Sequence, residues 1–569
     1  MTLAIAAAIL LTAPGCLKNS FDDGWQDDDD DQYDECPDPS EMTLRIHSGD
    51  VFDDTWGAEV HLVDQSIGVR GQIEVMPCAL IRVGLASTIT VRDGGALKLL
   101  GEEGLPITVT SAGSNAATGD WDRIEIHETA EYLGTEFRHT VFEYGGGGVL
   151  GSVRVTNGAS LAMTDCTVRD SGSVGVSAGD AAGFREFEGN TLVDNAAGPM
   201  LLGPDHAGEL GDGTYSPNTV EGIQLDGPTV SRDQTWRAHD APYVVLNSFR
   251  VESATDTARL TIAAGATVQM DPFTGITVAE NGGLKLAGSA DAQVVVTSNE
   301  DSPAAGDWSN LEFQEGSLST DNALTNTVVE YGGGGLAGVV AVGDGASVAI
   351  SSSTLRRSSH VGLFAQAGAE LRNFEDNTLS DNAAGAAELG ANEVDQLGPG
   401  SYGPNDVEGV LLRPGTVDHD STWVDLGAPF VVTSDFQVQG GPTGSALLTL
   451  SAGVTVQIGQ SGGIVVGENG GLTLDGSPAT PVSIASAQPS PGAGDWQEIE
   501  LRADSSPSGN VFRHAHISSG GGGPYGQIWL VDGASLTLDD VTFSHAGQGC
   551  DIYGTGTLDA TNTSYIPCD

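Results

Sequence analysis

The sequence predicts an all-β chain: a right-handed parallel β-helix solenoid built from three long internal repeats. Three observations carry that prediction. A set of motifs recurs in register over hundreds of residues, apolar residues alternate in short bursts, and the bursts are separated by turn-forming residues.

The recurrence is the strongest of the three. Gly-Asp-Trp ends at Trp121, Trp308 and Trp496, spacings of 187 and 188 residues. A four-glycine run begins at Gly145, Gly332 and Gly520, with the same two spacings. The string NTLVDNAAG at Asn190 returns as NTLSDNAAG at Asn377. Thr-Trp pairs at Trp56, Trp236 and Trp423 open the units. Ahead of the first landmark, the apolar N-terminus and the acidic stretch after it are read as a signal peptide at 1–15 and a lipidated Cys with an acidic tether at 16–41. Repeats follow at 42–235 and 236–422, then a truncated third repeat with a C-terminal cap at 423–569.

Within a unit the apolar residues alternate at period two, as in Leu448/Leu450, Val454/Val456, Ile464/Val466 and Leu472/Leu474. That period marks strands with one buried face. Gly, Ser, Asn and Asp fill the gaps and read as turns. Leu448 to Leu472 spans 24 residues and holds three bursts, the signature of one three-stranded coil. At that length the chain forms about 22 coils, a rod on the order of 100 Å long. A propeller blade would recur at about 40–50 residues, and no such period is present. The glycine runs need backbone freedom or close packing between coils. They lack the Lys and Ser/Thr of a phosphate-binding loop. Asn190, Asn195, Asn377 and Asn382 are expected at left-handed turn positions, with their amides stacked along the rod.

The bulk composition restricts function. The net charge is −56, and Lys18, Lys98 and Lys285 are the only lysines. Such a chain repels nucleic-acid phosphates and anionic membrane surfaces. Its membrane contact is instead expected through a lipid. Residues 2–13 form an apolar run too short to span a bilayer, followed by Ala13-Pro14-Gly15-Cys16. Small residues before a Cys resemble a lipobox, so Cys16 is the expected lipidation site and an exported, outer-membrane or cell-surface location the expected destination. The acidic stretch after it, including Asp27 to Asp31, lacks the spaced ligands of an EF-hand loop and reads as a disordered tether. Ca²⁺ is the one cofactor that the abundant carboxylates would admit, and no set of metal ligands stands out.

Of the remaining cysteines, Cys36 and Cys78 flank the start of the repeat body, and Cys550 and Cys568 flank its end. Export favours two end-clamping disulfides, Cys36–Cys78 and Cys550–Cys568. Cys166 takes the place of Ser353 and Val541 in the other units and reads as a small core residue.

The strings LTIAAGATVQM (260–270), NGGLKLAG (281–288), AAGDW (304–308) and NTVVEYGGGG (326–335) resemble bacterial right-handed parallel β-helix repeat proteins of the pectin-lyase-like superfold. The resemblance covers nearly all of 42–569. It implies the fold and an exported surface protein or lipoprotein, and it implies little about activity, because the superfold hosts lyases, hydrolases, adhesins and stalks.

The search for chemistry turns up copied features. His139 and His514 are two repeat lengths apart, with Asn326 between them. Arg169 with Asp170, and Arg356 with Arg357, form a candidate constellation that also repeats. Trp121, Trp308 and Trp496 would stack on sugars if exposed, or pack at coil corners if buried. Catalytic sites are single, whereas copied features belong to the scaffold or to a repeated binding surface. The expectation is a non-catalytic stalk, adhesin or carbohydrate-binding scaffold, with polysaccharide or other surface proteins as partners. The alternative is a Ca²⁺-assisted polysaccharide lyase or glycoside hydrolase on the same fold.

Overall fold

The computed structural model describes residues 35–335 and 337–568. Residues 1–15, Cys16 and most of the acidic tether lie outside the described residues. The described chain is a parallel β-solenoid of about 21 turns. A coil has three short strands, for example Leu80–Val83, Thr88–Val91 and Ala96–Leu100. Each pairs in parallel with its counterpart one coil later, as Leu80 with Thr108, Thr88 with Arg123 and Lys98 with Glu136. Alternation sets the faces: Ile89 and Val91 point into the core while Thr88 and Thr90 point outward. One continuous hydrophobic cluster runs from Trp56 to Ile552.

The four asparagines differ from expectation. The left-handed positions belong to the residues before them, Gly189, Asp194, Asp376 and Asp381, with φ of 68°, 56°, 56° and 56°. The asparagines themselves are buried and satisfy main-chain groups of the preceding coil. Asn190 accepts from the Cys166 N–H and donates to the Met163 carbonyl. Asn377 does the same for Ser353 and Ile350. The reason is the corner itself: a sharp turn strands backbone groups in the core, and a buried amide can both donate and accept. Part of the expected stacking is present, since Asn195 donates to Asn218 and Asn382 to Asn405.

The recurrence does not keep every position on its side of the coil. From Leu80–Val83 through Ala258–Ala263 there are 21 strands and one 3-10 turn, Pro204–Glu209. These 22 places make seven coils, one of which has four sides: Gly213–Thr214 ends one stack, and Thr229–Val230 opens a new one between Ile223–Leu225 and Gln234–Trp236. The pairing shows the consequence. The stack containing Met200–Leu202 continues through Ile223–Leu225 and Tyr243–Val245 to Thr267–Met270. Thr267–Met270 lies 187 residues after Leu80–Val83, which belongs to the neighbouring side of its own coil. The same advance carries Gly385–Gly390 through Val410–Arg413 and Phe430–Val432 to Thr455–Ile458. Two of the three positions therefore move to a neighbouring side at each recurrence, while the third keeps its stack: Ala96–Leu100 and Gly282–Ala287 lie in one stack, carried through Pro204–Glu209, which packs between Gly183–Glu188 and Gln234–Trp236.

Disulfides join Cys36 to Cys78 and Cys550 to Cys568, across 42 and 18 residues. Cys78 has φ of 67°, matching Gly265 at φ of 83° one period later. Cys166 is a free, buried thiol whose pKa burial pushes up to about 12. It is an inert core residue.

Candidate functional site

The Gly-Asp-Trp stations are interior. Trp121, Trp308 and Trp496 are each 0% exposed, so of the two alternatives they pack inside the coil, and sugar stacking on them at the surface is ruled out. Their indole N–H groups donate to the carbonyls of Glu143, Glu330 and Ser518 at 2.8–2.9 Å. The preceding Asp closes the loop: Asp120 accepts from Ser111 Oγ at 2.6 Å and from the Ala117 N–H at 3.0 Å. Asp307 and Asp495 repeat both bonds. The first glycine of each run lies against the indole. A Cβ on Gly145, Gly332 or Gly520 would stand 2.5–2.8 Å from the ring, so only glycine fits. The whole motif set is thus one structural device: Asp folds the loop, Trp plugs the core, and Gly lets the next strand pass over it.

The charged constellation is also internally paired. Glu143 accepts from Thr110 at 2.9 Å and from Arg169 at 2.7 Å. Glu330 accepts from Thr297 at 3.1 Å, Arg356 at 2.7 Å and Arg357 at 3.1 Å. Ser518 and Ser544 occupy the corresponding places in the third copy, which carries no such pair. His139 and His514 are corner residues with φ of 41° and 44°, and Asn326 between them has 46°. Among the described residues, no three His, Cys, Asp or Glu side chains are placed to hold a metal ion.

One surface is not copied. The strands Ile528–Leu530 and Ile552–Gly554 pair in register, so Trp529 and Tyr553 sit side by side on the outside of the rod. Tyr525, in the loop after the third glycine run, stacks on Trp529 with ring centroids 4.1 Å apart and 17° between planes. It also lies 5.1 Å from Tyr553. Among the described residues Trp529 is the one tryptophan that is not buried. The corresponding ladder has Arg154 and Ser177 in the first unit, and Ala341 and Phe364 in the second. A cleft of about 430 Å³ opens beside the rings, lined by Trp529, Val531, Asp532, Tyr553, Thr555 and Cys568.

Carboxylates flank this surface. Glu500 pairs in register with Trp529 and is held by Arg502 at 3.1 Å. Glu498 lies beneath the loop that carries Tyr525. Desolvation pushes its pKa above the usual carboxylate value, and Glu500 and Asp435 add to the shift. The repeat logic passed over Trp529 because it is present once. The signal was in the alternation: Ile528 and Leu530 point inward, so Trp529 must point out.

No family model matches the chain, and no curated protein or solved structure is significantly similar to it.

Proposed function

We propose that the chain is an exported, lipid-anchored surface rod of the right-handed pectin-lyase-like type, a non-catalytic scaffold that carries its C-terminal coils away from the membrane. The observation that supports it best is the continuous core. A single cluster threads about 21 turns, and the copied acids and arginines close on one another rather than converging on an open cleft. At about 4.8 Å per turn the body extends on the order of 100 Å. The acidic tether joins the rod where Cys36–Cys78 fastens the chain to the first coils. A pull on Cys16 would reach the core through that bridge.

Labelled palmitate and cell fractionation test the reading. Wild type is expected to take up label and sediment with membranes, and Cys16→Ser to lose both. Label that survives Cys16→Ser overturns the anchor. Release of product from any polysaccharide, with or without Ca²⁺, overturns the non-catalytic role.

A further inference from the structure

We infer that Trp529, backed by the stacked Tyr525, and Tyr553 form a binding site for a neutral saccharide on the C-terminal coils. Each element of the argument comes from the local chain. Two adjacent strands turn large aromatic rings outward, although six other tryptophans of the described rod are buried. Aromatic rings of this size are normally a source of burial energy. Leaving a contiguous group of them partly exposed marks a contact surface rather than a packing accident.

The cleft beside them has the chemistry of a sugar site. Its volume of about 430 Å³ lies within the ordinary range for small-ligand sites, ~300–1,000 Å³. A pyranose presents an apolar C–H face and a rim of hydroxyls. Trp529 and Tyr553 offer flat apolar surface for the face. Asp532 and Thr555, which line the same cleft, offer an acceptor and a hydroxyl for the rim.

Charge selects among saccharides. No Lys or Arg lines the cleft, and the nearby Arg502 is engaged by Glu500. Asp532 and Glu500 would face an incoming uronate or sulfate with like charge, in a chain already at −56. Neutral glycans escape that penalty. The stacking of Tyr525 on Trp529 leaves no open aromatic box of the kind that surrounds a quaternary ammonium group. The first and second units have Arg154 with Ser177 and Ala341 with Phe364 at these places, so among the described residues the aromatic pair occurs at one of the three corresponding places.

The test uses the full chain, with tryptophan fluorescence and calorimetry against cellohexaose, xylohexaose, mannohexaose and chitohexaose. Polygalacturonate and choline serve as contrasts. At least one neutral hexaose is expected to bind. Trp529→Ala and Tyr553→Ala are expected to weaken that binding at least tenfold while the rod stays folded by circular dichroism, and Trp529→Phe to retain part of it. Asp532→Asn is expected to leave polygalacturonate binding weak and to reduce neutral binding several-fold. Four outcomes overturn the inference: no neutral hexaose binds, binding is indifferent to Trp529→Ala, polygalacturonate or choline binds as tightly as the best neutral sugar, or Trp529→Ala instead dissociates a dimer. Because none of these readouts involves Cys16 or the membrane, failure here leaves the anchored-rod reading standing, and the reverse also holds.

Discussion

Trp308 and Trp529 make an instructive pair. Both lie on a solenoid of uniform construction, yet one is wholly enclosed and copied at 121 and 496, while the other faces outward and is present once. The contrast separates two reasons for a large aromatic residue. A copied tryptophan serves what every unit needs, a plug where the loop leaves the coil. A single one serves something that only one place on the rod provides. The change of side at each recurrence sharpens this. Even if the copied tryptophans were exposed, they would face successive sides and could not form one track for a polymer.

The comparison is broken most directly by truncating each ring. Trp308→Ala removes a fully buried indole and is expected to cost about 3–5 kcal/mol. Trp529→Ala, which loses a partly exposed ring and its stacking on Tyr525, should cost less, about 0.5–1.5 kcal/mol. Denaturant melts read by hydrogen exchange resolve the two, with the loss for Trp308→Ala centred on the coils around residues 308–332. Equal costs for the two variants would falsify the division between plug and platform.

A second measurement compares the fastened end with the middle. The Cys550–Cys568 bridge holds the last strands beneath Trp529 and Tyr553. Replacing both cysteines by Ser is expected to remove about 2–4 kcal/mol from those coils. Solenoid units depend on nearest neighbours, so the middle coils should not respond. Peptide-resolved exchange checks this: fast exchange should appear around Ile552–Gly554 and be absent at Thr327–Glu330.

The charged ladder offers a third comparison. Glu330 takes bonds from Thr297, Arg356 and Arg357 while little exposed, at 11% of its side chain. Glu330→Gln is expected to cost about 1–3 kcal/mol, the range for bonds to charged groups. Ser518→Ala at the matching place in the third copy should be close to neutral. Chemical denaturation of the two variants side by side is enough.

These contrasts also show what could be read from the sequence. The fold was legible because period-two alternation and turn residues are local properties, visible in runs such as Ile464/Val466. The change of side was hidden. It depends on one stack ending at Gly213–Thr214 and another beginning at Thr229–Val230, two-residue strands too short to show a pattern. The asparagines were misplaced by one residue because Gly189 and Asp194 supply the positive φ, leaving the next side chain to turn inward. The platform was missed for a different reason. Repetition drew attention to Trp121, Trp308 and Trp496, although alternation alone put Trp529 outside.

The smallest effect concerns a second aromatic stack, at the opposite end of the described rod. His47 and His61 both pack against Trp56, with ring centroids 4.0 Å and 4.9 Å from the indole. The two imidazoles meet at 3.1 Å. Unlike Tyr525 on Trp529, this stack is turned into the first coils, where Trp56 is 1% exposed. Burial pulls the His47 pKa down to about 4, with His61 and Arg45 adding to the shift and Asp54 opposing it. His61 shifts in the same direction, also mainly through burial. Between about 6.5 and about 4 the unfolded end therefore binds more protons than the folded one. Its stability is complete above that window and falls with pH through it. Exchange of residues 44–63, corrected for the intrinsic pH dependence, is expected to speed up a few-fold from pH 6.5 to 4.5. The coils at residues 464–484, which contain no histidine, serve as the reference. His47→Gln should flatten the response. A response that is identical at both places would show that the imidazole pair does not control the end of the rod.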